Sequence, residues 1–531
     1  MKKSLVSLLV LVFVFSIIIM GCSKNGNRNE GVNEPASADG GNAGHADANK
    51  PPVKFSISMR TLNKKYVENS PNINEDEYVK KMEEMTNVDI DIRLIPHDEF
   101  EEKMVQMFAT GDIPDVVQSS GGTRGPEMAG SVEAGVFLDL KPYLEKYGQD
   151  LLKKVPKEAW ERVTIDGKIY GIPEYLANPA RRATWIRMDL LKKTGLEVPK
   201  TIDDFLEVLR AFKKLGVEQP YAGRENFKYA DTVFGAYDVM GYNNQLELVD
   251  GKIQPKFLDV ENMEKAIQMY KTMFDEGLIS KEFPTINSST FKSVIVSGKA
   301  GMWSMNAQEL PVWGAQLKNN VPEAEPVLIP SPVGPDGKGG YALYGPTTRA
   351  YFINKKAEDK AADIVKFFNW MVSDEAEKFF TFGIEGKDYQ VVDGKIQYKA
   401  PETNEEIDKF QFLNYWLWMV HDNTYIKGTL ELTDEGRQLM DFIDNTLTKE
   451  GRSGYEFEPR LDAWVNNPDI NPNSDQFSPL INEHIMKMVF GKEPISDWPK
   501  VIEEWKSKGG NDLIKEATEK YNNGDFHPPL R

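Results

Sequence analysis

The chain opens on a basic pair, Lys2 and Lys3, followed by an apolar run from Leu5 to Met20 broken only by Ser7 and Ser16. As a helix this run would span about 24 Å, short of the roughly 30 Å hydrocarbon core of a bilayer. It fits the apolar core of a signal peptide better than a permanent span. Ser23 to Pro52 is rich in Gly, Asn, Ala, Asp and Ser and has no aromatic residue. Burial there cannot offset the entropy of ordering, so the stretch reads as a flexible tether. From Val53 the pattern becomes globular. Val53, Phe55, Ile57 and Met59 alternate, which predicts a strand. Tyr78, Val79, Met82 and Met85 recur at helical spacing, which predicts a helix over Glu75 to Met85. Val88 to Leu94 alternates again, Glu99 to Ala109 reads as an amphipathic helix, and Asp115 to Gln118 as a short buried strand.

A β-α-β-α-β order implies an α/β fold with mainly parallel sheets and covering helices. Ligands of such sheets collect beyond the carboxyl ends of the strands. Ser119, Ser120, Gly121 and Gly122 fall at such an end. Their small side chains either let a ligand approach the backbone or form a plain loop. Further along, Thr201 with Asp204 three residues on predicts a capped helix start. Asp166-Gly167, Asp250-Gly251 and Asp393-Gly394, each followed by Lys, predict hairpin turns.

The 531 residues, 40% of them hydrophobic, can bury a large core and exceed one domain. With 64 Lys and Arg against 82 Asp and Glu, the formal charge is -18. Such a surface repels nucleic acid and anionic headgroups, so no nucleic-acid partner is expected. The single cysteine, Cys22, excludes an internal disulfide and a cysteine-rich zinc site. The five histidines are scattered singly, so no metal is expected. No P-loop or GxGxxG pattern supports a nucleotide, and no cofactor is expected.

Ile19-Met20-Gly21-Cys22 resembles the lipobox of bacterial lipoproteins, whose cysteine takes a lipid thioether and becomes the mature first residue. The resemblance implies a signal peptide over 1–21 and a lipidated Cys22 heading a tether over 22–52. It also implies a place on the extracellular face of the cell membrane, held by lipid alone.

Several spaced segments resemble bacterial extracellular solute-binding proteins of family 1, especially the long lipoproteins of the LplA type that serve ABC sugar uptake systems. They are Gly111-Asp112-Ile113-Pro114-Asp115, Asp166-Gly167-Lys168-Ile169-Tyr170-Gly171-Ile172-Pro173, Arg187-Met188-Asp189 with Pro199 to Phe205, Gly298 to Trp303, and Gly383-Ile384-Glu385-Gly386 with Asp393-Gly394-Lys395. Many long members carry a calcium loop after the helix matching Phe205 to Lys214. Here Leu215-Gly216-Val217 follows, with no acidic ladder, so that site is not expected. The resemblance implies a hinged, two-lobed periplasmic-binding-protein-like fold of type II. One lobe would hold 53–180 plus 326–385, the other 181–325 plus 386–531. It implies a monomer that captures a carbohydrate, an oligosaccharide by expectation, and delivers it to ABC permease subunits.

A sugar site needs aromatic platforms and a few convergent polar groups. Trp303, at the end of a segment that resembles one whose tryptophan faces ligand in the family, is the leading candidate. Tyr175, Trp416, Trp418 and Tyr344 are further platforms, and Tyr415, Trp185 and Trp313 complete the aromatic set. Each is also an ordinary core residue type. Trp416 and Trp418 share a face only if their segment is a strand. Arg181, Arg182 and Arg349 lie near predicted lobe crossings and either grip hydroxyls or a carboxylate, or make salt bridges. Two of them facing the cleft would point to a uronate. Glu385 either accepts sugar hydroxyls or braces the hinge. The alternatives are a peptide-binding lipoprotein of the same fold, and an extracellular glycoside hydrolase, which needs two carboxylates flanking one bond. No catalytic constellation stands out, and no catalytic residue is nominated.

Overall fold

The computed structural model describes residues 50–120, 122–124, 126–128, 130–176, 178–421, 427–457 and 460–530. The signal run, the lipobox with Cys22, the tether up to Asn49 and Gly121 lie outside the described residues. The elements that position the site are, in chain order, β1 (Val53–Arg60), α1 (Glu77–Thr86), β2 (Val88–Ile95), α2 (Phe100–Thr110), β3 (Val116–Ser119), β4 (Gly171–Tyr175), β5 (Arg182–Arg187), α3 (Ile202–Lys214), β6 (Gln219–Ala222), β7 (Ala300–Asn306), β8 (Pro326–Ile329) and β9 (Thr347–Ile353).

Local chemistry sets the boundaries. The Asp76 side chain accepts from Tyr78 N at 2.9 Å, so α1 starts at Glu77 rather than Glu75, and Asn87 at φ 53° ends it. Thr201 and Asp204 form the reciprocal box that opens α3. In the three Asp-Gly turns both residues have positive φ: 50° and 74°, 49° and 76°, 51° and 74°. That is the two-residue hairpin geometry, and each turn joins antiparallel strands.

The strands form two principal sheets. The first has the order β2-β1-β3-β9-β4, the second β8-β5-β7-β6. β1 runs parallel to β2 and β3, and β7 parallel to β6. The remaining neighbours are antiparallel. The expectation of mainly parallel sheets is therefore corrected to mixed ones. The cause is the route of the chain: β4 leaves the first lobe and β9 returns to it, so β9 must run against β4.

Each sheet carries its own hydrophobic core. Phe55, Ile57, Val116, Tyr351, Phe352 and Phe368 belong to the first; Trp185, Phe205, Tyr221, Met302 and Trp498 belong to the second. Packing departs from the expected lobe boundaries at two stretches. β8 pairs with β5, and Tyr341 to Leu343 pack in the second core, not the first. Phe412 to Val420 pack in the first core, not the second. Where the chain crosses, the outgoing and returning segments pair: Leu176 N donates to Pro346 O at 2.8 Å and Tyr344 N to Pro179 O at 2.9 Å.

Replacing the Thr201 cap removes a hydrogen bond to the Asp204 amide. Thr201→Ala is expected to cost about 1 kcal/mol and Thr201→Ser much less, as read by urea denaturation. Equal losses in the two variants would contradict the capping role.

Candidate ligand-binding groove

The carboxyl ends of β1 and β2 bring a cationic rim to the first lobe. Arg60, the last residue of β1, donates through Nε and Nη2 to the His97 carbonyl at 3.2 and 2.9 Å. Its own carbonyl accepts from Trp416 Nε1 at 2.8 Å. Four residues on, Lys64 Nζ stands 4.5 Å from the centre of the Tyr415 ring, and Arg349 approaches the same ring at 5.4 Å. Arg349 owes its position to a bulge. Thr347 faces Tyr175 but Arg349 faces Glu174, so Thr348 is the extra residue between them. Glu174, fully buried, takes an ion pair from Arg349 Nε and a 2.8 Å hydrogen bond from Thr348 Oγ1.

The second lobe answers with its own cations around two tyrosines. Arg182 pairs with Asp231 at 2.5 Å, both fully buried, and donates to the Tyr344 hydroxyl. Its guanidinium lies 4.5 Å from the Tyr229 ring and 5.3 Å from Tyr344. Arg224 and Arg181 lie over the same two rings, at 5.2 Å each. Lys228 pairs with Asp475 at 3.2 Å. Burial alone would raise the Asp475 carboxyl, but Lys228 and Arg182 outweigh it and hold the group below its ordinary range. Burial pushes the Tyr344 hydroxyl up to about 12, so it stays a neutral donor.

The two rims meet. Lys64 of the first lobe lies 3.8 Å from Glu309 of the second, and Gln411 donates to Glu309 at 3.0 Å. Arg162 and Glu456 bridge the lobes at 2.6 Å. A cavity of about 120 Å³ lies beside Tyr415, between Gln308, Glu309 and Val312 on one side and Gln411 on the other. A larger pocket of about 510 Å³, lined by Asn226, Asn473, Phe477, Asn482 and Phe490, belongs to the second lobe alone. Closing the lobes would not enclose a ligand there, so the groove between the rims is the better site.

The candidate residues divide between groove and core. Arg181 stands over the Tyr344 ring in the second-lobe rim and Arg349 beside Tyr415 in the first, and Tyr175 sits half-buried at the end of β4 opposite Thr347. Trp303 does not line it. It has no exposed surface and stacks on Trp185 at 5.5 Å, because β7 and β5 pair with these two indoles opposite each other. Trp416 and Trp418 are core residues too. Trp416 lies in a helical segment that ends at Leu417, Trp418 stands just beyond that end, and the two indoles donate to the backbone carbonyls of Arg60 and Met371. Ser119 is fully buried, its hydroxyl 2.7 Å from Glu127. Glu385 stands at the surface, bonded to Lys378 and Tyr389. Arg60, Lys64, His97, Arg224, Lys228 and Tyr229 were missed. Arg60 ends a strand and Lys64, His97 and Arg224 follow one within four residues, which is the signal that could have found them, whereas Lys228 and Tyr229 follow a helical turn that gives no such signal.

The family model described as "Bacterial extracellular solute-binding protein" matches residues 70–378. The chain belongs to this family. Among curated proteins it is 25% identical to Lipoprotein LipO of Bacillus subtilis (strain 168), over 83% of this chain and 88% of that one. It is also 25% identical to the polygalacturonan/rhamnogalacturonan-binding protein YtcQ of the same organism, over 98% and 99%. Among solved structures, the alginate-binding protein AlgQ2 superposes with a TM-score of 0.67 at 19% identity, covering 90% of this chain and 99% of that one. This shows that the two share the type II, two-lobed fold. Among the described residues no helix is long and apolar enough to cross a membrane.

His97 gives the groove a pH signature. Burial first, then the charges of Arg60, Lys228 and Lys64, lower its pKa from 6.5 to about 4. Its Nδ1 is buried without a hydrogen-bond partner. Between those values the unfolded chain binds a proton that the fold refuses, so stability drops as pH falls from about 6.5 towards 4. The loss at pH 4.5 should be roughly 2 kcal/mol. Urea denaturation at pH 7 and 4.5 should show a smaller difference in His97→Asn; an unchanged difference would refute the assignment.

Proposed function

We propose that the protein captures an oligosaccharide between its lobes and delivers it, chemically unaltered, to the permease subunits of an ABC transporter. One observation carries the reading: three half-buried tyrosines, Tyr229 and Tyr344 on one rim and Tyr415 on the other, have guanidinium groups beside their rings. Ring faces suit the C–H faces of pyranoses, and fixed N–H donors suit their hydroxyls. A relative aligned over nearly the whole chain is named for binding polygalacturonan and rhamnogalacturonan, which supports the same class of ligand here. Closure about the paired crossing segments would bring the two rims onto the ligand. We place the protein on the outer face of the cell membrane as a monomer, released from its signal peptide and held by lipid on Cys22.

Calorimetry against saccharides and peptides, with chromatography of the recovered ligand, tests this reading. Saccharides should bind and return intact. Tyr344→Ala and Tyr415→Ala should each weaken binding about tenfold, near 1.4 kcal/mol. Trp303→Ala should leave affinity unchanged while costing roughly 3–5 kcal/mol of stability. Binding confined to peptides, or cleavage of the glycan, would defeat the proposal. For the anchor, Cys22→Ser should move the protein from the membrane fraction into the medium; retention in the membrane would argue against lipid attachment.

A further inference from the structure

We infer that the groove contains a carboxylate subsite, formed by Arg349 with Arg60 as a second cation on the far side of β3, and that its ligand is a uronate-bearing oligosaccharide. The inference rests on the carbohydrate reading above and narrows it to an acidic class.

Arg349 is only 6% exposed, and its Nη1 and Nη2 are buried with no hydrogen-bond partner. Only Nε is engaged, by Glu174, and that carboxylate also serves Thr348. Buried donors of a charged group are rarely left unmade, and two on one planar fork match the two oxygens of a carboxylate. Lysine would not serve the same purpose, because its ammonium cannot bond both oxygens in plane. The bulge at Thr348 turns this fork towards Tyr415, whose ring also has Lys64 beside it. A pyranose resting on that ring would bring its C6 carboxylate within reach of the fork.

Arg60 supplies the second cation. Among the described residues it has no carboxylate partner: its guanidinium bonds only the His97 carbonyl and lies 4.8 Å from the Phe100 ring. The nearby acids Glu101, Glu127 and Asp98 act on it at longer range, and Arg349 opposes them. Glu127 is itself bonded by Ser119 Oγ and Ser120 N. The field around the neighbouring His97 is positive on balance, with Arg60, Lys228 and Lys64 set against Asp98. Three cationic side chains thus act on one point of this rim, in a chain whose formal charge is -18.

The test is calorimetry of the full chain with oligosaccharides of galacturonate, glucuronate, mannuronate and guluronate. Each is paired with its counterpart in which the carboxylates are reduced to primary alcohols. At least one acidic member should bind ten times or more tightly than its reduced form, with the advantage shrinking as salt is raised. Arg349→Gln and Arg60→Gln should each erase most of that advantage. Should Arg349→Gln fail to fold, because it strands Glu174, Arg60→Gln carries the test alone. If reduced or other neutral oligosaccharides bind as well as the acids, or the folded variants keep the preference, the carboxylate subsite is wrong and the carbohydrate reading survives. If no saccharide of either kind binds, both fall.

Discussion

Arg182 and Asp231 are both fully withdrawn from water and meet at 2.5 Å. Burying either charge alone would cost several kcal/mol, so neither can stay without the other. The pair fixes three stretches that are far apart in sequence. Arg182 opens β5, Asp231 begins a helical turn after β6, and the second Asp231 oxygen accepts from Ala342 N at 2.9 Å. Ala342 leads directly into the segment that returns to the first lobe. Arg182 also holds the Tyr344 hydroxyl and underlies the Tyr229 ring. The placement of both groove tyrosines in the second lobe, and the angle at which the chain leaves it, thus depend on one ion pair.

What could be read from the sequence was whatever a few adjacent residues decide. Alternation gave β1 and β2, and helical spacing gave α1 and α2. The Asp-Gly turns follow from the backbone angles that Asp and Gly tolerate, and the Thr201 box from a reach of three residues. The groove is made by other means. Arg60, His97, Arg182, Arg224, Tyr229, Arg349 and Tyr415 come together only after the chain has crossed between lobes, and no periodicity links them. Trp303 shows the converse. Its segment reads as a strand, and it is one, but whether an indole at that position meets a ligand or another indole depends on Trp185, which lies more than a hundred residues away. The sheets misled for the same reason, because strand direction at β4 and β9 is set by the route between lobes.

The charge distribution is uneven in a way that suits the site. A surface dominated by Asp and Glu keeps the body soluble and away from anionic lipid, while a cationic groove in low-dielectric walls concentrates the field where a ligand enters. Many of its cations are matched in part: Arg182 by Asp231, Lys228 by Asp475, Arg224 by Glu225. Such matching stabilises the empty groove. It also leaves each guanidinium oriented, so that little ordering remains when hydroxyls or a carboxylate arrive.

The two segments that join the lobes near Tyr344 are hydrogen-bonded to each other rather than running free. A bonded ribbon twists and bends readily but resists sliding of one strand past its mate. At this crossing, motion between the halves is thereby turned towards rotation rather than sliding. A carbohydrate taken between the lobes then meets the same two rims at every closure, and the transporter need recognise only one geometry of the loaded carrier.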